Sequence, residues 1–523
     1  MEQLLPASSM LLMLRCEAQP SLEARTMSIQ GHDMSQRDAP RLKLVEVERY
    51  ERDVRLRLPF RFGVTTVTHA TQGVIRATIA LPDGRTEQGV AAETLAAKWF
   101  DKNLALSDGQ NLDQLRQSLA IAIELYTARG FDTPFGLYAG VYREQQARGA
   151  ALDLNPLVAS YGPALLDRAI ADALGRATGR SFPVMVSQNL LGLRASDLTP
   201  DLVGFDIGAF LGGLRMAPSI EVRHTVGLVD PISAGDQKPG ERVDDGLPET
   251  LEEVVRHYRG RYYKLKVGGN VAADLERLSG IAAVLDRALP EYRATLDGNE
   301  QYESVEGIAE LWRRMRETPA LRRLVDAIVF IEQPIKRQVA LSRPVAALAA
   351  EKPLEIDESD GELSSFPAAL ALGYSGVSSK NCKGFYKSIL NAARVAKLNA
   401  EAGRPRAFMS AEDLTTWAGV SVQQDLCLVA LLGLTHVERN GHHFIDGMSF
   451  APEAEQAAFV AAHPDLYAKG AGPARLRIAE GRLSIGSLDC PGFAVAAALD
   501  FASMRPMPAA PREPIGRALA AGG

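Results

Sequence analysis

Tyr262-Tyr263-Lys264-Leu265-Lys266-Val267 is a short β-rich run, and the amphipathic stretch 271–288 behind it leads into a second run, Arg293-Ala294-Thr295-Leu296. That strand–helix–strand unit decides the fold, because the same alternation repeats on both sides of it and builds a parallel sheet. Eight strands are predicted, over 222–229, 262–267, 293–296, 327–332, 353–357, 376–379, 406–409 and 434–438. Helix-like stretches at 248–258, 305–316, 366–372, 387–402 and 420–432 separate the rest. Eight such units in about 225 residues is the size of a (β/α)8-type barrel. A doubly wound open sheet would offer a Gly-rich dinucleotide turn, and Gly268-Gly269-Asn270 lacks the GxGxxG spacing.

Upstream, 42–47, 54–61 and 73–81 alternate like half-buried strands, and 111–176 turns helical through Leu112, Leu115, Leu119, Leu165, Leu166 and Ile170. Strands followed by helices read as a separate α+β domain. The expected organisation is a mobile tail over 1–41 with no function assigned, an α+β capping domain over 42–217, a barrel over 218–450, and a C-terminal segment over 451–523 that packs back on the cap.

Composition narrows the function. Lys and Arg number 58 against 64 Asp and Glu, a net charge of −6, which argues against a phosphate-tracking nucleic-acid surface. At 46% hydrophobic and 23% charged residues the chain has a large core to bury and no disorder signature. Its four cysteines form no CxxC pair, and the apolar run 10–14 is far short of the roughly 18 residues of a membrane span. A cytoplasmic protein with neither nucleic-acid nor membrane partners is expected.

In a barrel of this kind the functional groups sit at the C-terminal strand ends. Those ends carry Lys264 and Lys266, then Asp297 and Asn299, then Glu332, Asp357 and Lys380, spaced 23 to 35 residues apart, about one βα unit each. Singly they have ordinary readings: a solvated Lys-x-Lys, an Asp-Gly-Asn turn, a strand stopped by Pro334, a helix cap at Asp357. Their joint order on consecutive strands is what hydrophobic periodicity does not generate. Three clustered carboxylates repel one another unless a hard divalent cation such as Mg²⁺ lies among them. Lys264 and Lys266 project to the same face of their strand. Burial beside other cations is expected to lower a lysine from about 10.4 towards ~7–8, where it serves as a base.

Tyr263-Lys264-Leu265-Lys266-Val267-Gly268, Leu296-Asp297-Gly298-Asn299, Ile331-Glu332-Gln333-Pro334, Ile356-Asp357-Glu358-Ser359 and Ser379-Lys380-Asn381-Cys382-Lys383-Gly384 together resemble the enolase superfamily, in its muconate-lactonizing-enzyme-like branch of the mandelate racemase/muconate lactonizing enzyme family. The resemblance covers the barrel and reaches the first domain through Leu58-Pro59-Phe60-Arg61-Phe62-Gly63. It implies a Mg²⁺, with Mn²⁺ as a substitute, bound by Asp297, Glu332 and Asp357. It also implies Lys266 and Lys380 on opposite faces of a small-molecule carboxylate, with Lys264 helping to hold the enediolate left when the α-proton is removed. The mandelate-racemase branch resembles this chain less, because Met409-Ser410-Ala411-Glu412-Asp413 offers no histidine on strand seven. Racemisation or epimerisation is the expected outcome, with cycloisomerisation or elimination sharing its first step, and an inactive barrel used as a binding module as the rival from another class. A homo-oligomer is expected.

The first domain is longer than the usual cap of that family, and 318–323 stretches one interval. Two cap loops, 60–69 and 92–100, resemble those that close the barrel mouth, so Arg61 and Trp99 are candidate substrate contacts, with a surface cation and a packing residue as the alternatives. Asn299 and Glu412 are further candidates. Glu412 and Asp413 are expected in loop or supporting positions. His442 and His443 are not expected to bind metal, since adjacent residues point apart and no third ligand is near in sequence.

Overall fold

The computed structural model describes residues 39–62 and 65–515, so most of the expected 1–41 tail lies outside the described residues. The cap opens with three antiparallel strands, β1 (Lys43–Phe62), β2 (Thr65–Ala80) and β3 (Thr86–Thr94). β1 is continuous where two strands were expected. The intervening residues, Glu48 to Asp53, pair with β2 in unbroken register, and the register shifts fall on either side of them, at Leu44/Glu46 and Arg55/Phe60. Three helices follow, α1 (Asp108–Thr127), α2 (Pro134–Ala151) and α3 (Pro156–Thr178). Each start is specified locally: Ser107 and Gln110 form a capping box, and Thr133 and Asn155 cap helices that begin with proline. β3 lies so close to α3 that a Cβ on Gly89 would stand 2.2 Å from the Ala169 carbonyl oxygen.

Eight parallel strands then form the barrel: β4 (Ser219–Val226), β5 (Tyr262–Lys266), β6 (Arg293–Asp297), β7 (Ile328–Glu332), β8 (Leu354–Ile356), β9 (Gly376–Ser379), β10 (Phe408–Ala411) and β11 (His436–Arg439). Each strand from β4 to β9 pairs with the next, and β11 returns to pair with β4, His436 opposite Glu221. At the seam between β10 and β11 the Asp413 amide donates to the Glu438 carboxylate at 2.9 Å. Alternation along each strand separates two environments. Leu265, Leu296, Ile331, Ile356 and Val377 face the surrounding helices and are fully buried, each contributing about 1.5–3 kcal/mol of apolar burial. The residues between them face the barrel axis, where the charged groups are.

The C-terminal segment closes on both parts of the molecule. Its strand Arg482–Ser484 runs antiparallel to the N-terminal end of β4, Ser219 to Glu221, so it extends the barrel sheet. Farther on, Phe493 stacks on Phe182 with ring centroids 3.6 Å apart, and Arg505 and Pro506 pair with β1. Arg52 on β1 makes two 2.8 Å hydrogen bonds to the buried carboxylate of Glu455. Among the described residues no helix is long and apolar enough to cross a membrane.

Candidate active site

Lys264 stands at the centre of the barrel. Its ammonium lies 2.9 Å from Asp297, 2.8 Å from Glu332, 2.7 Å from Glu412 and 2.9 Å from Glu438. Burial acts to lower its pKa, but these four carboxylates outweigh it and raise the group well above the usual lysine range. Lys380 behaves alike: burial is overcome by Asp357, whose carboxylate accepts from it at 2.6 Å, and the ammonium is favoured. The expectation that burial and neighbouring cations lower these lysines is therefore corrected for Lys264 and Lys380, because each is surrounded by carboxylates. Lys266, two residues along β5, donates to Asp297 and to the Asn299 side chain, both at 2.5 Å.

The carboxylates are not equivalent. Burial raises Asp297, but Lys264 and Lys266 prevail and hold it below its ordinary value. Asp357 is also held low, since Lys380 and Lys383 outweigh its burial; Ser378 donates to it at 2.5 Å. Glu332 goes the other way, pushed well up by burial and by Asp297 and Glu412. One of its oxygens accepts from Lys264; Oε2, equally near that ammonium, accepts no hydrogen bond. Glu355, one layer deeper on β8, is raised by burial and by Glu412. Its Oε1 accepts from Ser410 at 2.6 Å, while Oε2 has no partner.

Among the described residues, one set of three potential metal-ligand side chains brings its donor atoms within 4.8 Å of one another: Glu332, Glu355 and Glu412, all buried. Asp297 and Asp357 flank that set and are engaged by Lys264, Lys266, Lys380 and Lys383. The two histidines are in no such set; His442 and His443 lie beside His224, at ring centroid distances of 5.7 and 5.1 Å.

Loop geometry places the remaining candidates. Asn299, at a positive φ of 39°, is buried between Lys266 and Glu358, donating to the latter at 3.1 Å. The turn sits tightly on the next strand end: a Cβ on Gly298 would meet the Pro334 Cα at 2.5 Å. Glu412 is in the charged interior itself, bonded to Lys264 and to the fully buried Arg223. Asp413 accepts from Arg439, Thr416 and the Asn440 amide. Trp99 is 5% exposed, with the Lys380 ammonium over its ring at 4.3 Å from the centroid. Arg61 instead is exposed on β1, opposite Thr66. Arg223, Glu355, Glu438 and Lys383 were missed. Glu355 and Arg223 share an inward face with Asp357 and Thr225 two residues on, and that i, i+2 relation is the signal that finds them.

A scan against protein-family models finds no match, and a search of curated proteins finds none either. Solved structures do match. A dipeptide epimerase from Enterococcus faecalis, complexed with Mg and a dipeptide, aligns with a TM-score of 0.55 at 13% identity, covering 86% of this chain and 99% of that one. A 2-chloromuconate cycloisomerase from Rhodococcus opacus aligns at 0.54 and 17% identity, covering 88% and 98%. The L-Ala-D/L-Glu epimerase from Bacillus subtilis aligns at 0.53 and 14% identity, covering 87% and 100%. This chain shares the fold of these structures, and in it a capping domain sits on a parallel barrel whose strand ends gather carboxylates and lysines.

Proposed function

We propose that this protein is a Mg²⁺-dependent enzyme that removes the proton α to the carboxylate of a small molecule, and that the outcome is racemisation or epimerisation. The observation that carries the reading is the charge content of the barrel axis. Six buried carboxylates, Asp297, Glu332, Glu355, Asp357, Glu412 and Glu438, meet five buried cations, Arg223, Lys264, Lys266, Lys380 and Lys383. Ions in a dry core cost several kcal/mol each unless paired, so an apolar barrel would be the more stable structure. With all six ionised the set carries one surplus negative charge; a divalent cation would favour that ionisation at Glu332 and Glu355 and reverse the surplus, and a substrate carboxylate would bring the site to neutrality. A barrel serving only as a binding module has no use for so costly a core.

Asp297, Glu332 and Asp357 are the proposed metal ligands, with Mn²⁺ an acceptable substitute. The donor set suits a hard cation, and Glu332 shows the need: fully buried, repelled by Asp297 and Glu412, with Oε2 accepting no hydrogen bond. When bound, the metal supplies positive charge to the substrate carboxylate oxygens. Lys264, fixed as an ammonium, contributes charge on the same side. Lys266 and Lys380 come from strand ends four positions apart in the ring, β5 and β9, and approach the axis from different sides. One takes the α-proton while the other returns a proton to the opposite face. Cycloisomerisation and β-elimination begin with the same abstraction; the muconate and dipeptide enzymes of this fold support the shared step.

The test is thermal stability with Mg²⁺ and with EDTA, followed by turnover of a carboxylate panel. Asp297→Asn, Glu332→Gln and Asp357→Asn are each expected to abolish the Mg²⁺-dependent stabilisation and the turnover while leaving a folded protein. Full activity in EDTA, or in any of the three variants, overturns the assignment.

A further inference from the structure

The cap segment 97–102 is fastened to the barrel rim by a compact group of charges that none of the proposed chemistry uses. Arg337, five residues beyond Glu332, is bonded to both oxygens of Glu300 at 2.8 Å. The same guanidinium donates to the carbonyl oxygens of Phe100 and Trp99, each at 2.8 Å. Glu300 in turn takes Lys102 of the cap at 2.6 Å, and Lys102 also donates to the Asn299 carbonyl at 2.7 Å. Glu300 holds a positive φ of 68°, an uncommon backbone for a residue with a Cβ, and that backbone aims its carboxylate at both partners. Arg337 uses its planar fork on a carboxylate and two carbonyls at once, a geometry lysine does not reproduce.

We propose that Arg337 and Glu300 are a latch that holds segment 97–102 on the barrel and thereby sets the Trp99 ring against the Lys380 ammonium. Arg337 is a positioning residue: it touches neither Lys380 nor the carboxylate cluster, and acts through the backbone of Trp99. An ammonium on an indole face is held by roughly 0.5–2 kcal/mol, and the ring closes off one approach to Lys380, so the latch fixes where that lysine points. The role of Lys380 in proton transfer rests on the proposed function; the mechanical coupling does not.

Two measurements on the full chain test the latch without any substrate. In backbone hydrogen exchange, Arg337→Ala and Glu300→Gln are expected to speed exchange across 97–106 by about tenfold, equivalent to ~1.4 kcal/mol of lost anchoring, with the helix over 271–288 unchanged. In tryptophan emission, Lys380→Met is expected to brighten the parent protein, since a nearby ammonium quenches indole, and to have no such effect once Arg337 is alanine. Arg337→Lys is expected to restore neither property in full. If Arg337→Ala does not fold, Glu300→Gln carries both measurements. Unchanged exchange over 97–106, acceleration that is uniform through the chain, or a Lys380→Met brightening independent of Arg337 overturns the latch. Failure to exchange any α-proton overturns the proposed reaction and leaves these two readouts intact.

Discussion

Acid is expected to release the cap before it unfolds the barrel, and Glu300 sets the magnitude. Burial acts to raise this carboxyl, but Arg337 and then Lys102 outweigh it and bring it from an ordinary 4.5 to about 2. At about 1.4 kcal/mol per unit the ionised group contributes about 3 kcal/mol to stability. The folded-state pKa is the lower one, so the contribution is complete above the unfolded value near 4.5 and is lost as pH falls towards 2. Glu300→Gln removes the same charge at every pH. The urea midpoints of wild type and Glu300→Gln are therefore expected to differ most at pH 7 and to converge on acidification, with more than half of the gap gone by about pH 3. Other titrating groups are common to both proteins and cancel. A gap of the same size at pH 7 and pH 3 would refute the reasoning, because it would mean that the charge of Glu300 is not what the glutamine fails to supply.

Lys264→Met leaves Asp297, Glu332, Glu412 and Glu438 facing one another with their shared ammonium gone, and is expected to cost about 3–5 kcal/mol in urea unfolding; a neutral result contradicts the central placement of this lysine. Phe493→Ala, which removes a fully buried ring stacked on Phe182, is expected to cost about 3–5 kcal/mol and to loosen the C-terminal segment in hydrogen exchange. Trp99→Ala is expected both to lower the melting temperature and to shift kcat/KM between competing substrates by about tenfold, ~1.4 kcal/mol; equal effects on all substrates would make it a packing residue alone.

Much of the barrel is legible in the chain because the period of its segments reports burial directly: a strand flanked by helices shows a short apolar run, and each run here ends where the structure ends a strand, within a few residues. The strand-end groups Lys264, Lys266, Asp297, Glu332, Asp357 and Lys380 are legible because charge at the end of such a run has no packing explanation. Other features needed three dimensions. Glu355 lies inside its strand rather than at its end, so reading ends alone passes over it. The direction of the Lys264 shift depends on how many carboxylates surround its ammonium, and two of the four, Glu412 and Glu438, come from strands about 150 residues or more farther along the chain. The single long β1 was read as two strands because Glu48-Arg49-Tyr50-Glu51-Arg52-Asp53 shows no apolar alternation, yet those residues pair with β2 in regular register. Trp99 was legible as a cap residue, but its contact with Lys380 depends on Arg337, the first residue of the helix Arg337–Ala340, which is too short to show a period.

Deuterium uptake at the α-carbon tests the central claim most directly, because it reads the shared first step whatever the final product. The protein is incubated in D₂O with a panel of dipeptides, N-acyl amino acids, lactones and acid sugars, with Mg²⁺ or with EDTA, and each recovered compound is weighed by mass spectrometry. The account expects one class of carboxylate to gain a single α-deuteron in Mg²⁺, to gain none in EDTA, and to lose that exchange in the Lys266→Ala, Lys380→Ala double variant. Exchange that persists in EDTA or in the double variant would contradict it.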